Sequence, residues 1–260
     1  MLEINNMTVS YQGIPTVTDF SLTMQPGQIV SLVGESGSGK TTVIRAVLGL
    51  LAGGGAVTRG DILWGGTSLL GYTPDQWRRL RGSEISMIFQ DSGAMMNPTR
   101  KVGDVFTEYL QTHEKISKKD AWKKGEEMLS KMRLPSPDNI MRSYPFQLSG
   151  GMRQRVGIAM GMTYQPRLLL ADEPTSALDV TTQAQIVRQM MELRDTYGTG
   201  IILVTHNLGV AAYMSDYIVV MKQGKIEDQG DREHILHHSR NPYTQGLLEA
   251  VPSMGGVRYV

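Results

Sequence analysis

The 260-residue chain contains no cysteine, which excludes a disulfide framework and any cysteine-ligated metal and fits a reducing compartment. It also lacks an excess of either charge: 26 Lys and Arg against 25 Asp and Glu give a formal net charge of +1. Polyanion binders usually carry a marked basic excess, so nucleic acid is not expected as the main partner. Long hydrophobic runs are missing as well. The longest apolar stretches, such as IILV at 201–204 and YIVVM at 217–221, fall far short of the roughly 20 residues that span a bilayer. The start, MLEINNMTVSYQG, has no basic segment followed by an apolar run, so no signal peptide is expected. A soluble protein is therefore expected, and if it works at a membrane another chain supplies the spanning part. Internal repeats and low-complexity linkers are absent too. What remains is length enough for one large or two small domains with a real core.

Short apolar runs, most of them with β-branched residues, recur at 29–33, 85–89, 168–171, 201–205 and 217–221. They do not alternate with polar residues, so they predict strands buried on both faces of a parallel sheet covered by helices. Residues 2–11 and 17–24 do alternate, with Gln25-Pro26-Gly27 as a turn; an antiparallel β portion is expected ahead of the sheet. From about 92 to 165 the strand signal disappears. Val102, Val105, Phe106, Tyr109 and Leu110 share one helical face, and Ala121, Trp122, Gly125, Met128, Leu129 and Met132 share another. Ser117 with Asp120 reads as a capping box for the second helix. Lysines 115, 118, 119, 123 and 124 read as a solvated face, with a place near anionic lipid heads as the other reading. After 205 a strand (217–222), a turn at Gly224 and a strand (225–229) are expected, then a last helix from near Asp231.

The string GESGSGKT at 34–41 fits the phosphate-loop pattern G-x-x-x-x-G-K-[ST], with Gly34, Gly39, Lys40 and Thr41 as the defining positions. Glycines let backbone N–H groups curl around phosphate oxygens, Lys40 neutralises β/γ charge, and the Thr41 hydroxyl can ligate Mg2+. A strand precedes the string and a helix-compatible run follows, which is the context this chemistry needs. The stretch RLLLADEPTSALD at 167–179 ends an apolar run in two adjacent carboxylates. Neighbours on a strand point oppositely, so they cannot do the same job. Asp172 can hold Mg2+ directly or through water, while Glu173 faces an attacking water as base or orienter. The plainer reading is an acidic strand end turning at Pro174. No N-K-x-D string selects guanine, which favours ATP. At LSGGMRQR, 148–155, the residues Ser149, Gly150 and Gly151 open a helix, so their N–H groups and its dipole make a second anion site.

In this order the motifs resemble the ATP-binding cassette (ABC) family over nearly all 260 residues. GESGSGKT is similar to its Walker A loop, Gln90 ending ISMIFQ to its Q-loop glutamine, and LSGGMRQ to its signature. LLLADEP is similar to Walker B, SALD at 176–179 to the D-loop, and His206 in LVTHN to the switch histidine. Tyr11 stands where the family has an aromatic that stacks on adenine; a plain strand residue is its other reading. The resemblance implies an α/β P-loop ATPase as one ATP-binding domain over 1–260. Its core, with the N-terminal antiparallel β portion, covers 1–91 and 165–260, and a helical subdomain carrying the signature is inserted at 92–164. It implies ATP contacts at Tyr11, Gly34, Ser36, Gly37, Gly39, Lys40, Thr41 and Thr42. The implied metal donors are Thr41, Gln90 and Asp172, and the catalytic groups Glu173, His206 and Gln90. Ser149, Gly150, Gly151 and Asp179 then act across a head-to-tail dimer that sandwiches two ATPs.

A closer resemblance is to ATP-binding subunits of dipeptide, oligopeptide and nickel importers, through YPFQLSGGMRQRV (144–156), ADEPTSALDVTTQAQI (171–186), VTHNLGVAA (204–212) and NPYTQGLLEAVP (241–252). The last phrase lies outside the expected ATP site. Departures are Phe146 where His is usual, Asn207 where Asp is usual, and DSGAMMNP (91–98) for a DPxxSLNP pattern. No Cys-containing extension of the kind often seen in longer peptide-importer subunits is expected, which leaves nickel or metallophore uptake open beside peptides. The expected function is ATP hydrolysis driving uptake, at the cytoplasmic face of a membrane. The implied partners are a second ATP-binding subunit, identical or not, permease subunits and, indirectly, an extracytoplasmic solute-binding protein. The alternative is a soluble mechanical ATPase of DNA repair or the ribosome, against which stand the single cassette and the absence of sustained heptads.

Overall fold

The computed structural model describes residues 1–90, 92–176 and 178–250, with the short paired strands Ser253–Met254 and Val257–Arg258. Of the motif residues above, Asp91, Ala177, Val251 and Pro252 lie outside the described residues. In chain order the elements begin β1 (Leu2–Tyr11), β2 (Ile14–Met24), β3 (Ile29–Val33), α1 (Lys40–Val47), β4 (Gly55–Trp64), β5 (Thr67–Ser68) and α2 (Pro74–Leu80). Next come β6 (Ile85–Ile88), α3 (Ser92–Met95), α4 (Val102–His113), α5 (Lys118–Lys131), α6 (Pro137–Arg142) and α7 (Gly150–Met162). The order closes with β7 (Leu168–Asp172), α8 (Val180–Tyr197), β8 (Gly200–Thr205), α9 (Leu208–Met214), β9 (Tyr217–Lys222), β10 (Lys225–Asp231) and α10 (Pro242–Glu249). Residues 1–78 with 198–260 form one compact unit, and residues 79–197 form the other.

In the first unit an antiparallel sheet has the order β2-β1-β4-β5. Its alternation breaks at Asn5-Asn6, where the register shifts against both neighbouring strands. Asn6 sits at φ 46°, a left-handed conformation that Asn tolerates better than most residues. The bulge restores the inward phase, so Met7 and Val9 return to the core. Strand β4 was not foreseen, because Arg59-Gly60-Asp61 interrupts its apolar pattern. In the same unit β3 pairs in parallel with β8 and β9, and β9 pairs antiparallel with β10. Every residue of β3 and β8 is buried, which is the physical meaning of their unalternating runs. A short helix does begin near Asp231, at Arg232, but it is not the last one. β10 continues through Asp231, a π-helical turn spans His234–His238, and α10 starts at Pro242. Asn241 caps it by accepting from the Tyr243 and Thr244 amides, and Pro242 supplies a preset φ at the first helical position.

The second unit holds the parallel pair β6–β7 and helices α3 to α8. Phe106 and Leu110 of α4 and Ala121 and Leu129 of α5 are fully buried, as their helical spacing predicts. Two glycines permit close packing: a Cβ on Gly103 would lie 2.4 Å from the Trp122 ring, and one on Gly125 2.6 Å from Met141 Cε. Ser117 Oγ accepts from the Asp120 amide at 3.1 Å, but the Asp120 carboxylate takes the Ser117 hydroxyl. It does not reach back to the backbone as the longer Glu of a full box does. Four of the five lysines are exposed. Lys124 differs: it is half-buried, ion-pairs Glu114 at 2.6 Å and lies 4.8 Å from the centre of the Tyr164 ring.

Candidate nucleotide site

In the first unit, the loop that follows β3 is shaped by contacts only glycine allows. Gly34 has φ 151°, and a Cβ there would lie 2.1 Å from the Met221 carbonyl oxygen. Gly39 has φ 97°, and its Cβ would meet Val17 Cγ2 at 2.9 Å. Lys40 is buried, and its Nζ donates to the carbonyls of Gly34 and Glu35, each at 2.7 Å, and to Ser38 Oγ at 3.2 Å. The loop is therefore wound around its own lysine. Gly39 makes no side-chain cap and the first turn of α1 has no acidic residue, so that helix end suits an anion. Ser36 and Gly37 are exposed, while Thr41 and Thr42 are partly exposed in the first turn. The half-buried Tyr11 ring rests on Gly55, whose added Cβ would lie 2.5 Å from Tyr11 Cε1. His206 is exposed immediately beyond β8. Asn207 then caps α9, its Oδ1 accepting from the Gly209 and Val210 amides at 2.9 and 3.2 Å. Asp and Asn cap about equally well, which accounts for the departure from Asp there.

In the second unit, parallel pairing sets Ile88 opposite Ala171. Two residues further on, Gln90 Nε2 donates to Glu173 Oε2 at 3.3 Å and to Ser176 Oγ at 3.4 Å. Two residues far apart in sequence thus meet because adjacent strands end together. Asp172 is buried as the last residue of β7, whereas Glu173 is partly exposed at φ 43°. The left-handed twist at Glu173 separates the two carboxylates into different surroundings.

The start of α7 is capped by Ser149, whose Oγ accepts from the Met152 amide at 3.3 Å. A Cβ on Gly150 would lie 3.7 Å from Leu178 Cδ2, and one on Gly151 2.7 Å from Thr182 Cγ2. The glycines thus let the start of α7 pack against the segment that opens α8. Asp179 precedes α8, its Oδ1 accepting from the Thr182 amide at 2.9 Å and its Oδ2 from the Thr182 hydroxyl at 2.7 Å. These bonds, the backbone one first, hold its pKa below the usual carboxylate value. Three local partners escaped the sequence reading. Ser176 bonds Gln90, Gly224 N–H donates to the Ser38 carbonyl at 3.1 Å, and Glu35 N–H donates to the Tyr243 hydroxyl at 3.2 Å. Only the grouping of SALD and NPYT with the family's motifs marked those neighbourhoods in sequence.

A phosphate loop after one buried strand and a carboxylate pair after another define a P-loop nucleoside triphosphatase. A family profile described as ABC transporter matches residues 17–176. The dipeptide transport ATP-binding protein of Lactococcus lactis subsp. cremoris is 39% identical, over 98% of this chain and 74% of its own length. The oligopeptide transport ATP-binding protein of Bacillus subtilis is 41% identical, over 98% and 72%. Among solved structures, a dimeric ATP-binding cassette in a post-hydrolysis state bound to ADP and Pi superposes with a TM-score of 0.79 at 26% identity. That match covers 89% of this chain and 99% of the other. The chain belongs to the ABC transporter family, as an ATP-binding and ATP-hydrolysing cassette. The relatives named are transport subunits, and they lend no support to the mechanical alternative. Among the described residues, no helix is long and apolar enough to cross a membrane.

Proposed function

We propose that this cassette powers uptake of peptides through separate permease subunits, at the cytoplasmic face of the membrane. The observation that carries the reading is similarity over 98% of the chain to dipeptide and oligopeptide transport ATP-binding proteins. Nickel or a metallophore is the neighbouring cargo class, and the relatives' names favour peptides. In this proposal a core over 1–91 and 165–260 hydrolyses ATP, and a helical subdomain over 92–164 passes motion to the permease.

In this reading Gly34, Ser36, Gly37, Gly39, Lys40, Thr41 and Thr42 bind the phosphates and Tyr11 stacks on adenine. Asp172, Thr41 and Gln90 offer the hard oxygen donors that suit Mg2+, which when bound would neutralise phosphate charge. Glu173 orients and deprotonates the attacking water, with Gln90 fixing its carboxylate, and His206 contacts the γ-phosphate. Ser149, Gly150, Gly151 and Asp179 complete the site of a second cassette. Hydrolysis then proceeds by positioning and charge stabilisation without a covalent intermediate.

The test of cargo is reconstitution with the permeases and binding protein in liposomes. ATP-dependent accumulation of a labelled di- or oligopeptide is expected. Accumulation of Ni2+ with no response to peptide would overturn the cargo assignment.

A further inference from the structure

One contact ties the C-terminal phrase NPYT to the phosphate loop. Glu35 N–H donates to the Tyr243 hydroxyl at 3.2 Å, so an α10 side chain holds the second residue of GESGSGKT. The other side of that residue is held as well: its carbonyl accepts from Lys40 Nζ at 2.7 Å and from the Ser38 amide at 3.2 Å.

Tyr243 is itself fixed from several directions. Its amide and that of Thr244 donate to Asn241 Oδ1, while Asn241 Nδ2 donates to the Glu227 carbonyl at 2.9 Å. The Thr244 hydroxyl, fully buried, donates to Asp228 Oδ2 at 2.9 Å, and Ser239 donates to the same oxygen. These bonds pin the start of α10 to β10. The Tyr243 ring packs against the buried cluster that contains Val33, Ile218, Val220 and Leu248. Its other neighbour is the Lys222 ammonium, 4.5 Å from the ring centre. Val33 is the residue just before the loop, so ring and hydroxyl act on the same short stretch.

We infer that Tyr243 is a positioning residue for nucleotide binding: by holding the Glu35 amide it keeps the loop in its binding shape before ATP arrives. The inference rests on the reading of this loop as the ATP site. A glycine-rich loop is costly to order, and ordering it in the folded chain removes that cost from binding. A side chain that touches no nucleotide then sets affinity by supporting the residues that do.

Tyr243→Phe in the full-length chain removes the hydroxyl and keeps the ring. One neutral hydrogen bond at this point translates to a rise in KM for ATP of about three- to ten-fold, with kcat within about two-fold. Leu236→Ala serves as the comparison, since Leu236 packs on the same apolar cluster and its side chain has no polar atom to hold the loop. It is expected to lower Tm and leave the ATP KM unchanged. An unchanged KM in Tyr243→Phe overturns the inference. So does a KM rise of equal size in Leu236→Ala, since that is the mark of general loosening. Failure of the unmutated chain to bind ATP overturns the reading of the site and the inference with it.

Discussion

Glu173 combines a carboxylate at a strand end with a backbone that few residues accept. Its φ is 43° and Pro174 follows, two circumstances that disfavour a side-chain-bearing residue and together cost about 1–3 kcal/mol. Such strain persists where function requires a group in a given place. Glu173→Gln keeps the shape and removes the proposed base: steady-state hydrolysis should fall by about 10²–10⁴-fold while nucleotide titration shows binding retained. Hydrolysis at the normal rate would sink the assignment of Glu173. Glu173→Gly, which removes the base and also relieves the backbone, should melt above Glu173→Gln by calorimetry. Gly34 presents the opposite case, a residue with no room for any side chain. With 2.1 Å from an added Cβ to the Met221 carbonyl, Gly34→Ala must displace the loop. Loss of ATP binding and a lowered Tm are expected, read by titration and thermal melting.

Elements are anchored by a few polar atoms whose loss can be measured. Asn207→Ala removes two capping bonds from α9 and should cost about 1 kcal/mol, whereas Asn207→Asp should be neutral or slightly stabilising, because it adds charge at the positive helix end. Chemical denaturation of the three proteins separates the cases. In the second unit, His113 at the end of α4 packs edge-on to Tyr109 and Tyr164, with ring centres 5.0 and 5.1 Å away. Burial lowers its pKa, against a smaller opposite pull from Glu114. Burial also pushes Tyr109 up to about 12. A histidine whose folded pKa lies below its unfolded value of about 6.5 binds its proton more readily when unfolded. Its contribution is therefore intact above that pH and is lost as pH falls through it toward the folded value. His113→Gln should flatten the acid limb of a stability–pH curve below about pH 6.5; an identical limb would remove His113 from the account.

At the scale of the proposed dimer, the start of α7 is read as an anion site in a chain that already has a phosphate loop. Ser149→Arg should leave ATP binding at the chain's own Gly34–Thr42 loop intact and abolish the hydrolysis that depends on the mutated signature. Mixed dimers with one mutated chain, read by ATPase rate and nucleotide occupancy, check this. Much of that machinery was legible in the chain because it is local chemistry at set spacing: GESGSGKT needs only its own glycines and lysine, and LSGG only a helix to open. Buried strands such as β3 and β8 were legible because burial on both faces leaves an unbroken apolar run. Strand β4 was hidden by Arg59-Gly60-Asp61, and α10 was not told apart from the helical turn that follows β10, because Asn241-Pro242 restarts the helix beyond a π turn. The sequence by itself determined where the candidate groups for phosphate, metal and water stand along the chain. Only the tertiary structure decided which groups hold those residues still. Strand pairing delivers Gln90 to Glu173, and α10 delivers Tyr243 to Glu35. Neither meeting is encoded in local spacing, since each follows from where separate segments end once their apolar faces have packed.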